Sequence, residues 1–112
     1  MTFNEWHHQS YIPFDDWFIQ EWDNGNLQIK NDNDVKRFLV EFVQEEQVRI
    51  VEQTEMQKLI ESIFKIKNRY FRIVWSTPCE HTRRIDEFFH LSPIAEVQKI
   101  EKSISFDIYV SI

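Results

Sequence analysis

The residues of this chain with the clearest chemical potential are its single cysteine and its histidines. Cys79 and His81 stand two positions apart, and a thiolate beside an imidazole begins a zinc site but needs further ligands. His7 and His8 are adjacent, and neighbouring side chains in a strand point to opposite faces, so they are poorly placed to share one ion. The sequence therefore predicts no metal and no cofactor, with solvated histidines and a buried or loop cysteine.

Other arrangements of reactive side chains are also incomplete. Cys79, with His81 or His90 and with Asp86, could form a nucleophilic site, but no local signature surrounds these residues. The residues that could bind an anion are Arg69, Tyr70, Arg72, Arg83 and Arg84. Arg83 and Arg84 form the strongest basic cluster, and a simpler explanation is that they lie in the solvated first turn of a helix. We therefore predict no catalytic residues and no enzyme activity, and an enzyme or ligand site near residues 79–90 stays an alternative.

Glycine usage excludes several nucleotide and acyl-transfer sites. Gly25 is the only glycine, whereas an average chain of this length holds roughly eight. The motifs GxxxxGK[ST], GxGxxG and GxSxG each need at least two glycines, so that backbone can approach a phosphate closely or turn sharply. The acidic run at residues 31–34 lacks the glycine and glutamate of a calcium-binding EF-hand, because position six is Lys36. It is better explained as the start of a helix.

The acidic charge is concentrated in the first third of the chain. Residues 1–34 hold seven acids and one base, which is the whole net charge of −6, and also three of the four tryptophans. Large aromatics interleaved with acids are typical of an interface for a basic protein. The residues that we predict to bind such a partner are Glu5, Trp6, Asp15, Asp16, Trp17, Glu21, Trp22 and Asp23. The alternative is that the aromatics form the core and the acids a solvated helix face.

Hydrophobic periodicity predicts the elements that would position these residues. The predicted helices are 13–22, 34–46, 54–67 and 82–91, and the predicted strands are 27–29, 48–51, 69–76 and 103–112. Helix 54–67 has the clearest pattern, with Thr54 and Gln57 as a capping box and apolar residues at helical spacing from Met56 to Phe64. Residues 93–102 fit neither template.

The last predicted strand sets the expected architecture. Ile104, Phe106, Ile108 and Val110 alternate with polar residues, so one face of this strand is expected to be buried and the other solvated. We therefore predict a single α+β domain over residues 1–112, in which a mostly antiparallel or mixed sheet is covered on one face by three or four helices.

Composition and charge then favour one class of function. The chain has no apolar run of about 18 residues, no secretory signal pattern and one cysteine, which indicates a cytoplasmic protein with no membrane span. A charge of −6 disfavours direct nucleic-acid binding. We expect an immunity- or antitoxin-type inhibitor that covers the active site of a basic partner such as a nuclease toxin.

Two further alternatives remain beside the enzyme. One is a phage-type anti-defence protein or nucleic-acid mimic, which follows the same electrostatics with another target. The other is a scaffold subunit that dimerises through the strand at 103–112. The expected oligomeric state is accordingly a monomer or a weak homodimer through that strand.

Overall fold

A computed structural model of the protein describes residues 1–29, 33–78, 90–100 and 107–112. The described helices are α1 (Phe3–Gln9), α2 (Phe14–Asp23), α3 (Asn26–Ile29) and α4 (Asn33–Phe42). The described strands are β1 (Gln47–Gln53), β2 (Gln57–Ile66), β3 (Arg69–Pro78), β4 (His90–Leu91), β5 (Ala95–Ile100) and β6 (Ile108–Ser111). Helix α2 and strand β3 confirm the predictions for 13–22 and 69–76, with small shifts at their ends.

The strands form one antiparallel sheet. Its described order is β1-β2-β3-β5-β6, and β4 pairs with β3. The centre is the hairpin of β2 and β3, which pairs from Gln57 opposite Pro78 to Ile66 opposite Arg69. The connecting residues Lys67 and Asn68 both have positive φ, 49° and 64°. Positive φ at both central positions is the type I′ turn, whose twist matches that of the two strands.

The sheet curls until its first and last strands meet at one end. Four strand steps separate β1 from β6, which in a flat sheet would place the two edges about 19 Å apart. Gln47 nevertheless donates a hydrogen bond to the main-chain oxygen of Asp107 over 2.8 Å and accepts one from its N–H over 2.9 Å. The sheet is therefore a curled half-barrel, and its concave face is the one that carries the Gln47 side chain.

The main core lies on the convex face, where α2 and α4 pack against β2 and β3. Its buried members are Trp17, Phe18, Trp22, Val35, Leu39, Val40, Ile60, Phe64, Ile66, Phe71, Ile73 and Trp75. The rings of Phe18 and Trp22 meet Phe71 edge to face, with centroids 4.8 and 5.1 Å apart. Burial of a side chain the size of Phe contributes about 1.5–3 kcal/mol, so α2 is held mainly by its aromatic stripe.

The predicted fold class is wrong. The structure is a curled antiparallel half-barrel with short helices, and not a two-layer α+β domain whose sheet lies under three or four helices. Curvature gives the second face a small core of its own, because Ile63, Val97 and Tyr109 are buried together on the concave side with Tyr70 packed against them. The polar face of the last strand predicted a sheet covered on one side only, whereas curling buries parts of both faces.

Three element predictions in the first half of the chain change as well. The predicted helix 54–67 is wrong, because Thr54 lies in a turn and the following residues form β2. The predicted strand 27–29 is wrong, because these residues belong to the single turn of α3. The predicted helix 34–46 is confirmed as α4 but ends at Phe42, which is consistent with the unfavourable acids at its predicted end.

The last strand is present, but its buried face is the opposite of the predicted one. Ile108 and Val110 are each 39% exposed, whereas Tyr109 between them is only 7% exposed. The reason is that β6 lies at the edge of the described sheet, where Tyr109 joins the concave cluster with Ile63 and Val97 and no residue of β6 joins the main core. Ile104 and Phe106 lie outside the described residues.

The remaining stretches are described in part. Of the predicted helix 82–91, residues 82–89 lie outside the described part of the chain, and the last two form β4. Within the ambiguous stretch 93–102, β5 runs from Ala95 to Ile100. No helix among the described residues has the length and apolar character needed to cross a membrane.

Candidate functional site

Two of the tryptophans predicted to contact a partner are in the core. Trp17 and Trp22 are 2% and 6% exposed. The Trp17 indole donates to the main-chain oxygen of Met1 over 3.0 Å, and the Trp22 indole donates to Glu96 over 3.0 Å. Both rings and both N–H groups are thus used inside the protein. The burial of these two residues is what the core alternative expects.

Three of the predicted acidic residues hold α2 in place. Glu21 is buried and accepts hydrogen bonds from the Met1 ammonium over 3.3 Å and from Asn26 over 2.6 Å. Asp16 pairs with Lys67. Asp23 accepts two hydrogen bonds from Arg69, over 2.9 and 3.1 Å. Sequence reasoning assigned these carboxylates to a partner, but their charges are largely balanced within the chain.

Arg69 is the centre of the ion-pair network beside α2. It also binds Glu96 through two hydrogen bonds of 2.8 and 2.9 Å. The hydrogen bonds from Arg69 lower the pKa of Glu96 and the pKa of Asp23, and those from the two carboxylates, Glu96 first, raise the pKa of the guanidinium. This network keeps Arg69 from acting as an anion site, as the sequence had allowed, because two carboxylates already occupy it.

The other predicted contact residues are at least partly at the surface. Trp6 is half-buried among aromatic rings, and its indole donates to the Ile12 oxygen over 2.7 Å. Glu5 is exposed and closes the capping box of α1, where hydrogen bonding to Thr2, chiefly to its backbone N–H, lowers the pKa of the carboxyl. Asp15 is exposed and joins no ion pair in the described part of the chain. Glu5, Trp6 and Asp15 therefore remain available for contact.

A second surface, which sequence reasoning missed, follows the first strand. The β1 surface is defined here by apolar and acidic side chains that are all exposed: Glu41, Phe42, Glu46, Val48, Ile50, Val51, Glu52, Glu55 and Met56. Phe42 is 71% exposed, and Val48 and Ile50 are 51% and 52% exposed. Residues 41–56 hold five acids and one base, a local charge of −4. Residues 35–112 hold equal numbers of acids and bases overall, so this local excess is not apparent from their total charge.

The concave face carries a buried carboxylate between two guanidinium groups. Glu61 accepts from the Nε of Arg49 over 2.9 Å, and an Nη of Arg72 lies 3.9 Å from it. A cleft of about 230 Å³ opens beside Arg49 and Glu61 and is also lined by Asp107 and Tyr109. Burial raises the pKa of Tyr109, whose hydroxyl has no hydrogen-bond partner among the described residues. The contacts of Glu61 with both arginines indicate a structural ion-pair cluster.

The structure assembles no reactive site from the residues that it describes. His7 and His8 lie on α1 and are exposed, and their rings are 5.1 Å apart. No group of three or more His, Cys, Asp or Glu among the described residues could hold a metal ion. Cys79, His81 and residues 83–86 lie outside the described part of the chain, and the side chain of His90 is also not described.

Comparisons with models of protein families, with curated proteins and with solved structures find no match to this chain.

Proposed function

We propose that this chain is a small acidic binding protein that neutralises a basic protein, in the manner of an immunity or antitoxin inhibitor of a nuclease toxin. The observation that supports the proposal is the distribution of ion pairs. Ion pairs among the described residues use the Met1 ammonium and the cations Arg49, Lys67, Arg69, Arg72 and Lys99. The exposed acids of the described residues that join no ion pair are Glu5, Asp15, Glu41, Glu46, Glu52 and Glu55. Among the described residues, internal pairing therefore leaves more exposed carboxylates than exposed cations, of which Lys65 is one.

Such a surface favours a basic partner for a kinetic and an energetic reason. Uncompensated carboxylates attract a positively charged surface at long range and raise the association rate. Affinity then comes mainly from a few apolar or aromatic anchors that become buried in the contact. Phe42, Val48 and Ile50 supply such groups beside the acids of the β1 surface.

We place the contact on the β1 surface, with the exposed part of the N-terminal segment at its margin. The ring of Trp6 is 5.6 Å from Phe38, which is 5.3 Å from Phe42. An aromatic row therefore links Trp6 on α1 to the beginning of the β1 surface. This arrangement retains Glu5, Trp6 and Asp15 as contact residues and replaces the buried members of the predicted set.

A phage-type anti-defence protein or nucleic-acid mimic is the second candidate, because its target would also be basic. The exposed Val48 and Ile50 favour a partner with apolar contacts over one that reads phosphate spacing alone. In both cases we propose binding without catalysis, in the cytoplasm.

The test is affinity capture from the native host, with two variants of equal net charge. Glu46→Gln with Glu52→Gln removes two acids from the β1 surface, and Gln20→Lys with Gln98→Lys makes the same charge change at exposed positions elsewhere. The wild type and the second variant are expected to retain a basic protein at low salt, and the first variant is expected to retain several-fold less of it. Titration of the captured protein should abolish its activity at a one-to-one ratio. Capture of an acidic protein, or capture unaffected by salt, would refute the proposal.

A further inference from the structure

Strand β1 is an edge of the described sheet. It pairs with β2 on one side, from Gln47 opposite Ile63 to Ile50 opposite Ile60. The register then shifts between Ile50 and Glu52, which marks a β-bulge at Val51. An edge strand presents backbone N–H and C=O groups that another extended segment can pair with, and a bulge ends such regular pairing. The regular part of this edge therefore runs from Gln47 to Ile50.

On the convex side of this edge, the exposed side chains are apolar, which is unusual for an edge strand. Val48 and Ile50 lie opposite Ser62 and Ile60 in the register, and thus on the convex face beside the main core. About half of each side chain is exposed. Natural edges are commonly protected by charges on the strand itself, whereas here the convex side of the regular part carries two β-branched apolar residues. A neighbouring strand would cover both of them and extend the convex face by one strand.

The charge around the edge determines which kind of strand fits. The local charge of residues 41–56 is −4, and the exposed carboxylates Glu46 and Glu52 flank the regular edge on both sides. A second copy of this chain would bring the same negative charge against it, and each whole chain carries −6. A segment with lysine or arginine side chains instead gains complementary charge while its backbone pairs with β1.

We propose that β1 binds an extended, basic segment of the partner by strand addition, with apolar side chains of that segment covering Val48 and Ile50. This inference rests on the proposed function, since it assigns the mode by which the β1 surface would hold a basic protein. Main-chain hydrogen bonds provide affinity in such complexes, and alternate side chains provide specificity. The bulge at Val51 limits the paired segment to about four residues.

The probe is a synthetic octapeptide of alternating lysine and valine, compared with the same peptide N-methylated at every valine. N-methylation removes the backbone donors of one peptide edge and keeps the charge. Titration is followed by amide proton–nitrogen spectra of the labelled protein at low salt. We expect the unmethylated peptide to shift and protect the amides of Gln47 to Ile50, and the methylated peptide to bind about tenfold more weakly.

Two variants locate the contact on the correct edge. Ile50→Lys places a charge on the exposed convex side of β1, and Val110→Lys makes the same kind of change on the opposite edge strand β6. Both positions are partly exposed, and the same spectra report whether each variant is folded. Ile50→Lys is expected to weaken peptide binding about tenfold, and Val110→Lys to leave it unchanged.

The possible failures are distinct. If both peptides perturb β1 equally, or if neither perturbs it, strand addition is refuted, while the proposed function still depends on the captured partner. If sedimentation shows a dimer that Ile50→Lys dissociates, β1 binds a second copy, and the assignment to a basic partner is refuted. If capture yields no basic protein but the peptide pairs with β1, the proposed function is refuted, whereas strand addition at β1 is supported.

Discussion

The indole of Trp22 donates a hydrogen bond to the carboxylate of Glu96 over 3.0 Å and joins α2 to β5 across 74 positions of the chain. The same carboxylate accepts from Arg69, so one contact ties the aromatic stripe of α2 to the ion-pair network at its end. A residue that resembled an interface anchor in the sequence is thus a link between two elements of the fold.

The first prediction concerns the stability that Trp22 provides. Trp22→Ala should lower the free energy of unfolding by about 3–5 kcal/mol, because it empties a packed position between Phe18 and Phe71. Tyr11→Ala is the matched control, since the Tyr11 ring is fully exposed, and it should change stability by less than about 0.5 kcal/mol. Urea unfolding followed by circular dichroism measures both. A loss below about 1 kcal/mol at Trp22 would contradict its placement in the core.

The second prediction is the pH dependence of the Glu96 network. Hydrogen bonds from Arg69, and then from Trp22, lower the pKa of the Glu96 carboxyl below its ordinary value of about 4.5. A carboxyl with a lower pKa in the folded state stabilises the fold above its unfolded pKa, and this stabilisation is lost as the pH falls through the folded pKa. Thermal unfolding should therefore occur at lower temperature as the pH falls below about 4.5.

A pair of variants isolates that contribution. Glu96→Gln removes the titrating group and should make the acid dependence of the unfolding temperature shallower. Glu52→Gln removes an exposed carboxyl that joins no ion pair in the described part of the chain, and it should leave the dependence unchanged. Equal slopes in the wild type and Glu96→Gln would show that Glu96 does not titrate with folding.

The misassigned helix at 54–67 shows what local sequence leaves undetermined. Ile60 and Phe64 are buried on the convex face of β2 and Ile63 on its concave face, so the strand is apolar on both sides and shows no alternation. An apolar run of this kind fits a helical stripe equally well. Its β-branched and aromatic residues were the evidence for a strand.

The residues at both ends of that segment do form local turns, but these turns connect strands and do not cap a helix. The Thr54 hydroxyl does accept from the Gln57 N–H, over 3.1 Å, but in the turn between β1 and β2 instead of a helix cap. At the other end, Lys67 and Asn68 both adopt a left-handed backbone and form a hairpin turn. Local residues thus predicted where the chain turns. Pairing with the neighbouring strands determined that the segment between the turns is a strand and not a helix.

The candidate surface was predictable only in part. The excess of acid was visible, but the pairing of Asp23 with Arg69 and of Asp16 with Lys67 depends on residues more than forty positions away in the chain. The curl that exposes the convex side of β1 and buries Tyr109 depends on contacts between the two sheet edges. Neither is encoded in a local pattern.

The third prediction concerns the curl itself. Gln47→Ala removes both hydrogen bonds to the Asp107 backbone and should lower the free energy of unfolding by about 1–2 kcal/mol. Gln53→Ala, at the exposed far end of the same strand, should change it by less than about 0.5 kcal/mol. Amide spectra should show the largest shifts of the Gln47 variant in Asp107 to Ser111. An unchanged β6 would mean that this amide does not hold the two edges together.

The last prediction decides between the two acidic surfaces by association kinetics with the captured partner. Asp15→Asn with Asp16→Asn and Glu46→Gln with Glu52→Gln each remove two negative charges, so their net charges are equal and only the location differs.

Acids at the rim of a contact act mainly on the association rate and its salt dependence. Because the Debye length is about 10 Å at 0.1 M salt, charges outside the contact are strongly screened. The β1 pair should therefore slow association several-fold more than the α2 pair and flatten its salt dependence. Stopped-flow binding at two ionic strengths provides the comparison, with thermal unfolding as the control for folding. If the α2 pair has the larger effect, the partner binds at the N-terminal segment, as the sequence alone predicts, and the β1 surface is not the contact.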